Sequence, residues 1–201
     1  MKEDVLPVLQ RIKFERGLDE FQLFSIEFLI NNFTTIIDFH ETLREKGYRE
    51  QPYKIASLDI VLYYIEIALE DGIITEDEKR QVKLMKRVFD VTEGDFYRFR
   101  FHRLKFLSEL FLARLYLDNK ITESESLDKV ALQDFFDLSY DQFLELTHNF
   151  DRKALLKDVD VVQLDTFMTY NEFWKIKSEE FIDPMNEEYT AAYLYSIDEK
   201  H

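Results

Sequence analysis

An all-α fold is predicted for this chain of 201 residues. Three observations predict it: a shortage of turn formers, a helical spacing of apolar side chains, and recurring pairs of helix-capping residues. Only 4 Gly and 3 Pro are present, where average usage would place roughly two dozen. A sandwich or barrel needs a tight turn about every 8–12 residues, which this stock does not supply. Hydrophobic residues make up 46% of the chain and aromatic residues 15%, far too much for a disordered chain despite the acid excess. The chain is therefore globular and long enough to bury a core.

The elements follow in order. Leu6, Leu9, Ile12 and Lys13 give a short amphipathic helix that Gly17 breaks. One long apolar-periodic stretch then runs from Asp19 to Gly47 through Phe21, Phe24, Phe28, Ile36, Ile37 and Phe39, so residues 1–50 are expected to form an N-terminal helical pair. Gly47 is the expected stop, and Pro52 marks the break after it. No Gly- or Pro-rich linker follows, so the chain is read as one domain, with residues 148–201 as a third, degenerate hairpin and a tail.

An internal repeat organises the rest. Asp71-Gly72-Ile73-Ile74-Thr75-Glu76-Asp77-Glu78 is answered 47 residues on by Asp118-Asn119-Lys120-Ile121-Thr122-Glu123-Ser124-Glu125. The same register pairs Phe89 with Phe136, Asp90 with Asp137 and Phe96 with Phe143. A further step reaches Asp165, Met168, Thr169 and Glu172, where little else is kept. Thr75, Thr122 and Thr169 are expected N-caps, with Glu78, Glu125 and Glu172 reaching back as capping boxes. Thr92 with Asp95 and Ser139 with Gln142 open further helices in the same way. Gly72 and Asn119 readily take the left-handed conformation that ends a helix. Helices are thus expected over 54–70, 75–89, 93–117, 122–136, 140–164 and 169–182, arranged as repeated hairpins.

The segment Ala68-Leu69-Glu70-Asp71-Gly72-Ile73-Ile74-Thr75-Glu76-Asp77-Glu78 resembles the tellurite-resistance TerB-like family, whose members carry an Ala-x-x-Asp-Gly-x-Ile-(Thr/Ser)-x-x-Glu type segment between two helices. The resemblance covers roughly residues 54–147. It implies a fold of repeated helical hairpins and a small acidic module tied to stress responses and envelope-associated complexes. Some such modules hold metal at acidic sites, and none has an established reaction. Carried over by position, the acidic turn falls on Asp71, Glu76 and Glu78, and in the second copy on Asp118, Glu123 and Glu125. Asn119 and Lys120 depart from the pattern there.

Four groups of residues bear on chemistry. Asp71, Glu76 and Glu78 are the candidate metal ligands, for Ca²⁺ or Mg²⁺. Counted from Ile67, Asp71, Gly72, Ile74 and Glu78 match positions 5, 6, 8 and 12 of an EF-hand loop, but Ile67 and Leu69 stand where two ligand oxygens belong. Capping alone accounts for Thr and Glu at this spacing, so no cofactor is expected beyond that cation. Glu145 and His148 have the Glu-x-x-His spacing of di-iron bundles, yet neither His40 nor His102 has Glu three residues before it. The basic run Phe96–Phe106 places Arg98, His102 and Lys105 on one helical stripe flanked by Arg100 and Arg103. Such a stripe binds single-stranded nucleic acid in some proteins; the plainer expectation is that the Arg stems lie over apolar surface and pair with neighbouring carboxylates. Finally, Trp174, Phe181, Tyr189, Tyr193 and Tyr195 give the tail an aromatic, acidic character suited to core packing or to a partner surface.

Charge and absences bound the function. Lys and Arg number 26 against 41 Asp and Glu, a net charge of −15, which repels polyanions and argues against nucleic acid. No Cys is present, so thiolate chemistry and disulfides are excluded. No Gly-x-Ser-x-Gly elbow or Gly-rich phosphate loop occurs, and no enzymatic activity is expected. Glu3 and Asp4 sit where a signal peptide wants positive charge, and no membrane-spanning run follows, so a cytoplasmic location is expected. The expected function is a non-catalytic module that binds a protein partner through an acidic or aromatic helical surface, with Arg98, Arg103, Trp174, Tyr189 and Tyr193 as partner-binding residues. Self-association stays open. The alternatives are a divalent-cation-binding protein using Asp71, Glu76 and Glu78, a nucleic-acid binder using the Arg98–Lys105 stripe, and an enzyme whose carboxylate and His residues the sequence does not single out.

Overall fold

A computed structural model describes residues 2–48, 50–115, 120–121, 123–147 and 160–161. The described residues form eight helices: α1 (Lys2–Glu15), α2 (Glu20–Asn31), α3 (Ile36–Glu45), α4 (Glu50–Ala68), α5 (Glu76–Val88), α6 (Asp95–Leu115), α7 (Glu123–Phe135) and α8 (140–147). The all-α class is as the sequence predicts. The only extended pieces described are β1 (Lys120–Ile121) and β2 (Asp160–Val161), two residues each, paired in parallel with Lys120 opposite Asp160.

The N-terminal region differs from expectation. Three helices stand there rather than a pair, because the stretch 19–47 divides at residues 32–35. The apolar spacing runs through the break, but Thr35 supplies a cap. It is extended (φ −135°, ψ 161°), and its hydroxyl accepts the Asp38 N–H at 3.0 Å. A residue so placed starts a new helix instead of continuing the old one. The expected helix over 140–164 is also shorter, since Asp160 and Val161 are paired as a strand. The expected helix 169–182 lies outside the described residues.

Thr75 and Glu78 close the expected capping box at α5. Asp19 and Gln22 close another at α2, which is not among the expected caps. Pro52 marks no break: it falls in the first turn of α4, where its missing N–H costs no helical bond. Gly47 (φ +83°) ends α3 in a Schellman turn, with Tyr48 N–H on Leu43 O and Gly47 N–H on Arg44 O. Local geometry also recurs at the 47-residue spacing. Asp90 (φ 49°) ends α5 and Asp137 (φ 48°) ends α7. Val91 N–H bonds Lys86 O in the first, and Leu138 N–H bonds Gln133 O in the second. Thr92 N–H then bonds the Asp95 carboxylate, as Ser139 N–H bonds the Gln142 side chain. The second Thr-Glu box, at Thr122 and Glu125, lies outside the described side chains.

α4 is the hub, packing against α1, α2, α5 and α6. Leu58, Ile60, Val61, Leu62, Tyr64 and Ile65 are all fully buried, the pattern of a helix covered on nearly every side. Tyr64 satisfies its hydroxyl on Gln81 at 2.8 Å. Phe39, Phe89, Phe96, Phe111 and Phe136 extend the core from α3 across α5 and α6 to α7. No described helix is long and apolar enough to cross a membrane.

Candidate functional site

The acidic turn between α4 and α5 is built from caps. Gly72 (φ +80°) turns the chain after α4. Asp71 then holds the turn by accepting the Ile73 N–H at 3.0 Å. Thr75 accepts the Glu78 N–H at 3.2 Å, and Glu78 Oε2 accepts both the Thr75 N–H at 2.8 Å and its hydroxyl at 2.6 Å. Glu76 pairs with Lys79 at 2.7 Å, and Asp77 with Arg80. The three candidate metal ligands are thus each engaged with a different group. Among the described residues no three His, Asp or Glu side chains are grouped to hold a metal ion.

Behind this turn the C-terminal carbonyls of α4 are covered by a cation. The Arg114 guanidinium donates to Leu69 O at 2.6 Å and Glu70 O at 2.7 Å, which satisfies orphan acceptors and opposes the negative dipole end. Arg11 grips the Glu70 carboxylate with both terminal nitrogens, at 2.5 and 2.8 Å. Those hydrogen bonds hold Glu70 below the usual carboxylate range and raise Arg11.

The basic run of α6 is split in two by its surroundings. Arg100 has non-helical geometry (φ −136°, ψ 29°), which kinks the helix. Its side chain makes a bidentate pair with Asp59 at 2.7 and 2.6 Å. Arg103 reaches Glu66 at 3.1 Å, and Arg16 of the α1–α2 connection reaches the same carboxylate at 3.0 Å. Both guanidinium groups also lie over the Tyr63 ring, Arg103 at 4.0 Å and Arg16 at 5.2 Å from its centre. Lys105 lies 3.9 Å from Glu109. Arg98 stays exposed, over the ring of Phe99 at 5.0 Å.

Of the expected partner-binding residues, then, Arg98 faces solvent and Arg103 is engaged with α4. Trp174, Tyr189 and Tyr193 lie outside the described residues, as does His148. Asp59, Tyr63 and Glu66 recur at helical spacing on one face of α4, and Glu70 follows in the turn just past its end. The spacing of Asp59 and Glu66 is a signal legible in the sequence, since carboxylates at i and i+7 share a helix face.

Comparison with protein-family models, with curated proteins and with solved structures finds no significant match to this chain. Beyond the kink α6 exposes Phe106 (56%) and Leu110 (40%), one turn apart, with His102 and Ala113 exposed on the same side. Leu127 and Val130 of α7 are also exposed. Among the described residues of α6 the outward side is therefore apolar with charged edges, whereas its arginines at 100 and 103 face α4.

Proposed function

We propose that this chain is a non-catalytic, cytoplasmic module that binds a protein partner through an outward helical surface. The observation that carries the reading is the exposure of Phe106 and Leu110 on α6, flanked by Lys105, Glu109 and, before the kink, Arg98 and Phe99. Contiguous apolar side chains rimmed by charge mark interaction surfaces, because leaving them in water costs free energy that a partner recovers. The resemblance of residues 54–147 to the TerB-like family supports the same reading, since it implies an acidic helical module without an established reaction. Single-stranded nucleic acid is disfavoured, because Arg100 and Arg103 spend their charge on Asp59 and Glu66.

Affinity capture from native extract tests the reading. The wild-type chain is expected to recover a protein in stoichiometric amount, and Phe106→Glu with Leu110→Glu to lose it while keeping the same melting temperature. Undiminished capture by the double variant would overturn the assignment of this surface. A bound small molecule or metal in place of any protein would overturn the interaction reading itself.

A further inference from the structure

A pocket with room for about 50 Å³ opens between α2, α3, the start of α4 and the end of α5. Its walls are aromatic and mutually braced. Phe21 stacks on Tyr53 at 4.7 Å, Tyr48 stands edge-on to both at 5.3 and 5.0 Å, and Phe39 meets Phe89 edge-on at 5.7 Å. Rings locked in this way keep a pocket open, because closing it would cost several packed contacts at once.

Three basic residues, His40, Arg44 and Lys54, share the lining with one carboxylate residue, Asp90. Lys54 is largely committed, donating to Asp90 O and to the Asp95 carboxylate at 2.6 Å each. Arg44 is exposed, and no ion pair engages it among the described residues. At physiological salt charges are screened over about 8 Å, so the lining charges, Arg44 at the rim and the Asp90 carboxylate, and not the distant acid surplus govern a group bound there.

The size decides what enters. One water-sized site needs about 10–15 Å³, so this space holds on the order of four heavy atoms, well short of the ~150 Å³ that takes a benzene ring. That is the volume of a branched aliphatic side chain. Resting on the interaction-module reading, we propose that the pocket receives one aliphatic side chain from an acidic segment of the partner protein, with Arg44 pairing a carboxylate next to it. The segment docks by an anchor in an apolar pocket and a charge at the rim, the arrangement of interface hot spots.

Titration of the full ¹⁵N-labelled chain with the peptide acetyl-Glu-Glu-Leu-Glu-Glu-amide tests this. Amide shifts are expected around residues 39–44 and 88–90, with affinity falling about tenfold or more in Arg44→Glu and in the pocket-filling Ser57→Leu. Peptides with Gly for the Leu, or Lys for every Glu, are expected to bind at least about tenfold more weakly. Equal binding of either control, or undiminished binding to Arg44→Glu, overturns the proposal. Arg44 is exposed, so its variant keeps the fold even where Ser57→Leu, at a buried position, fails to. Free 4-methylpentanoate binding more tightly than the peptide also overturns it, making the site one for a small acid. A native partner captured equally by wild type and Arg44→Glu removes this pocket while leaving the interaction-module reading in place.

Discussion

Lys86 and Asp137, 51 residues apart, are joined by a salt bridge of 2.7 Å that ties α5 to the end of α7. The same ammonium donates to Asp134 O at 2.8 Å, so one buried lysine caps a helix C-terminus and neutralises the residue that ends it. Lys54 covers the turn after α5 differently, donating to the backbone O of Asp90 while pairing with the Asp95 carboxylate of α6. Both receiving turns place an Asp in the left-handed region, at φ 49° and 48°.

That shared geometry gives opposite expectations for one substitution. Asp90→Gly relieves the left-handed strain and removes no ion pair, so it is expected to stabilise by about 0.5–1 kcal/mol. Asp137→Gly relieves the same strain but leaves the Lys86 ammonium without its carboxylate. Its net effect is expected to be a loss of about 1–2 kcal/mol, discounted for the partial exposure of Asp137. Urea unfolding of both variants checks this; equal signs would show that the bridge contributes little.

The α4 face predicts unequal roles for neighbouring arginines. Arg98→Glu is expected to change stability by less than about 0.5 kcal/mol, as a surface substitution. Arg100→Glu places a carboxylate against Asp59 in a half-buried site, and is expected to cost about 2–3 kcal/mol. Thermal unfolding of the two variants separates them. Similar losses would mean that the Asp59 pair is no stronger than a surface contact.

The acidic turn predicts a cap before it predicts a metal site. Thr75→Ala removes the acceptor for the Glu78 N–H, and is expected to cost about 1 kcal/mol. Millimolar Ca²⁺ or Mg²⁺ is expected to leave the melting temperature unchanged, because Asp71, Glu76 and Glu78 are each bonded to a different group. A clear rise in melting temperature with Ca²⁺, lost in Glu78→Gln, would restore the cation reading.

Acid sensitivity follows from three carboxylates. Arg11 depresses Glu70, and the Thr34 and Thr35 side chains depress Asp38. Burial works to raise Asp95, but Lys54 and Thr92 outweigh it, and the net shift is down. A carboxylate depressed in the folded state stabilises above its unfolded pKa, and that contribution is lost as pH falls through the folded value. Stability is therefore expected to hold at neutral pH and to decline below about pH 4. Arg11→Ala is expected to flatten the Glu70 part of that decline in pH-dependent unfolding; an unchanged profile would remove the bridge as its source.

At alkaline pH the sign reverses. Tyr97 donates to Glu145, which raises its phenol, with burial and repulsion adding to the shift. A group raised in the folded state stabilises below its unfolded pKa and loses that contribution as pH rises through the folded one. Tyr97→Phe is expected to remove a stability loss above about pH 10, as read by chemical denaturation across that range.

What the sequence determined by itself is local. The all-α class follows from composition and spacing. The boxes at Thr75, Thr92 and Ser139 and the stop at Gly47 could be read because each partner lies within three to five residues, where chain connectivity alone brings donor and acceptor together. The break at Thr35 was readable by the same rule, through Asp38, but an apolar periodicity running across it masked the cap. Only the tertiary structure decided which arginines spend their charge. Arg100 and Arg103 find Asp59 and Glu66 some forty residues away, and Lys86 finds Asp137 across another helix. The pocket beside Arg44 likewise exists only where four helices meet. Pairings of that kind depend on which helix faces pack together, and the packing is set by the summed burial of α4 and its neighbours, a quantity that no short stretch of sequence contains.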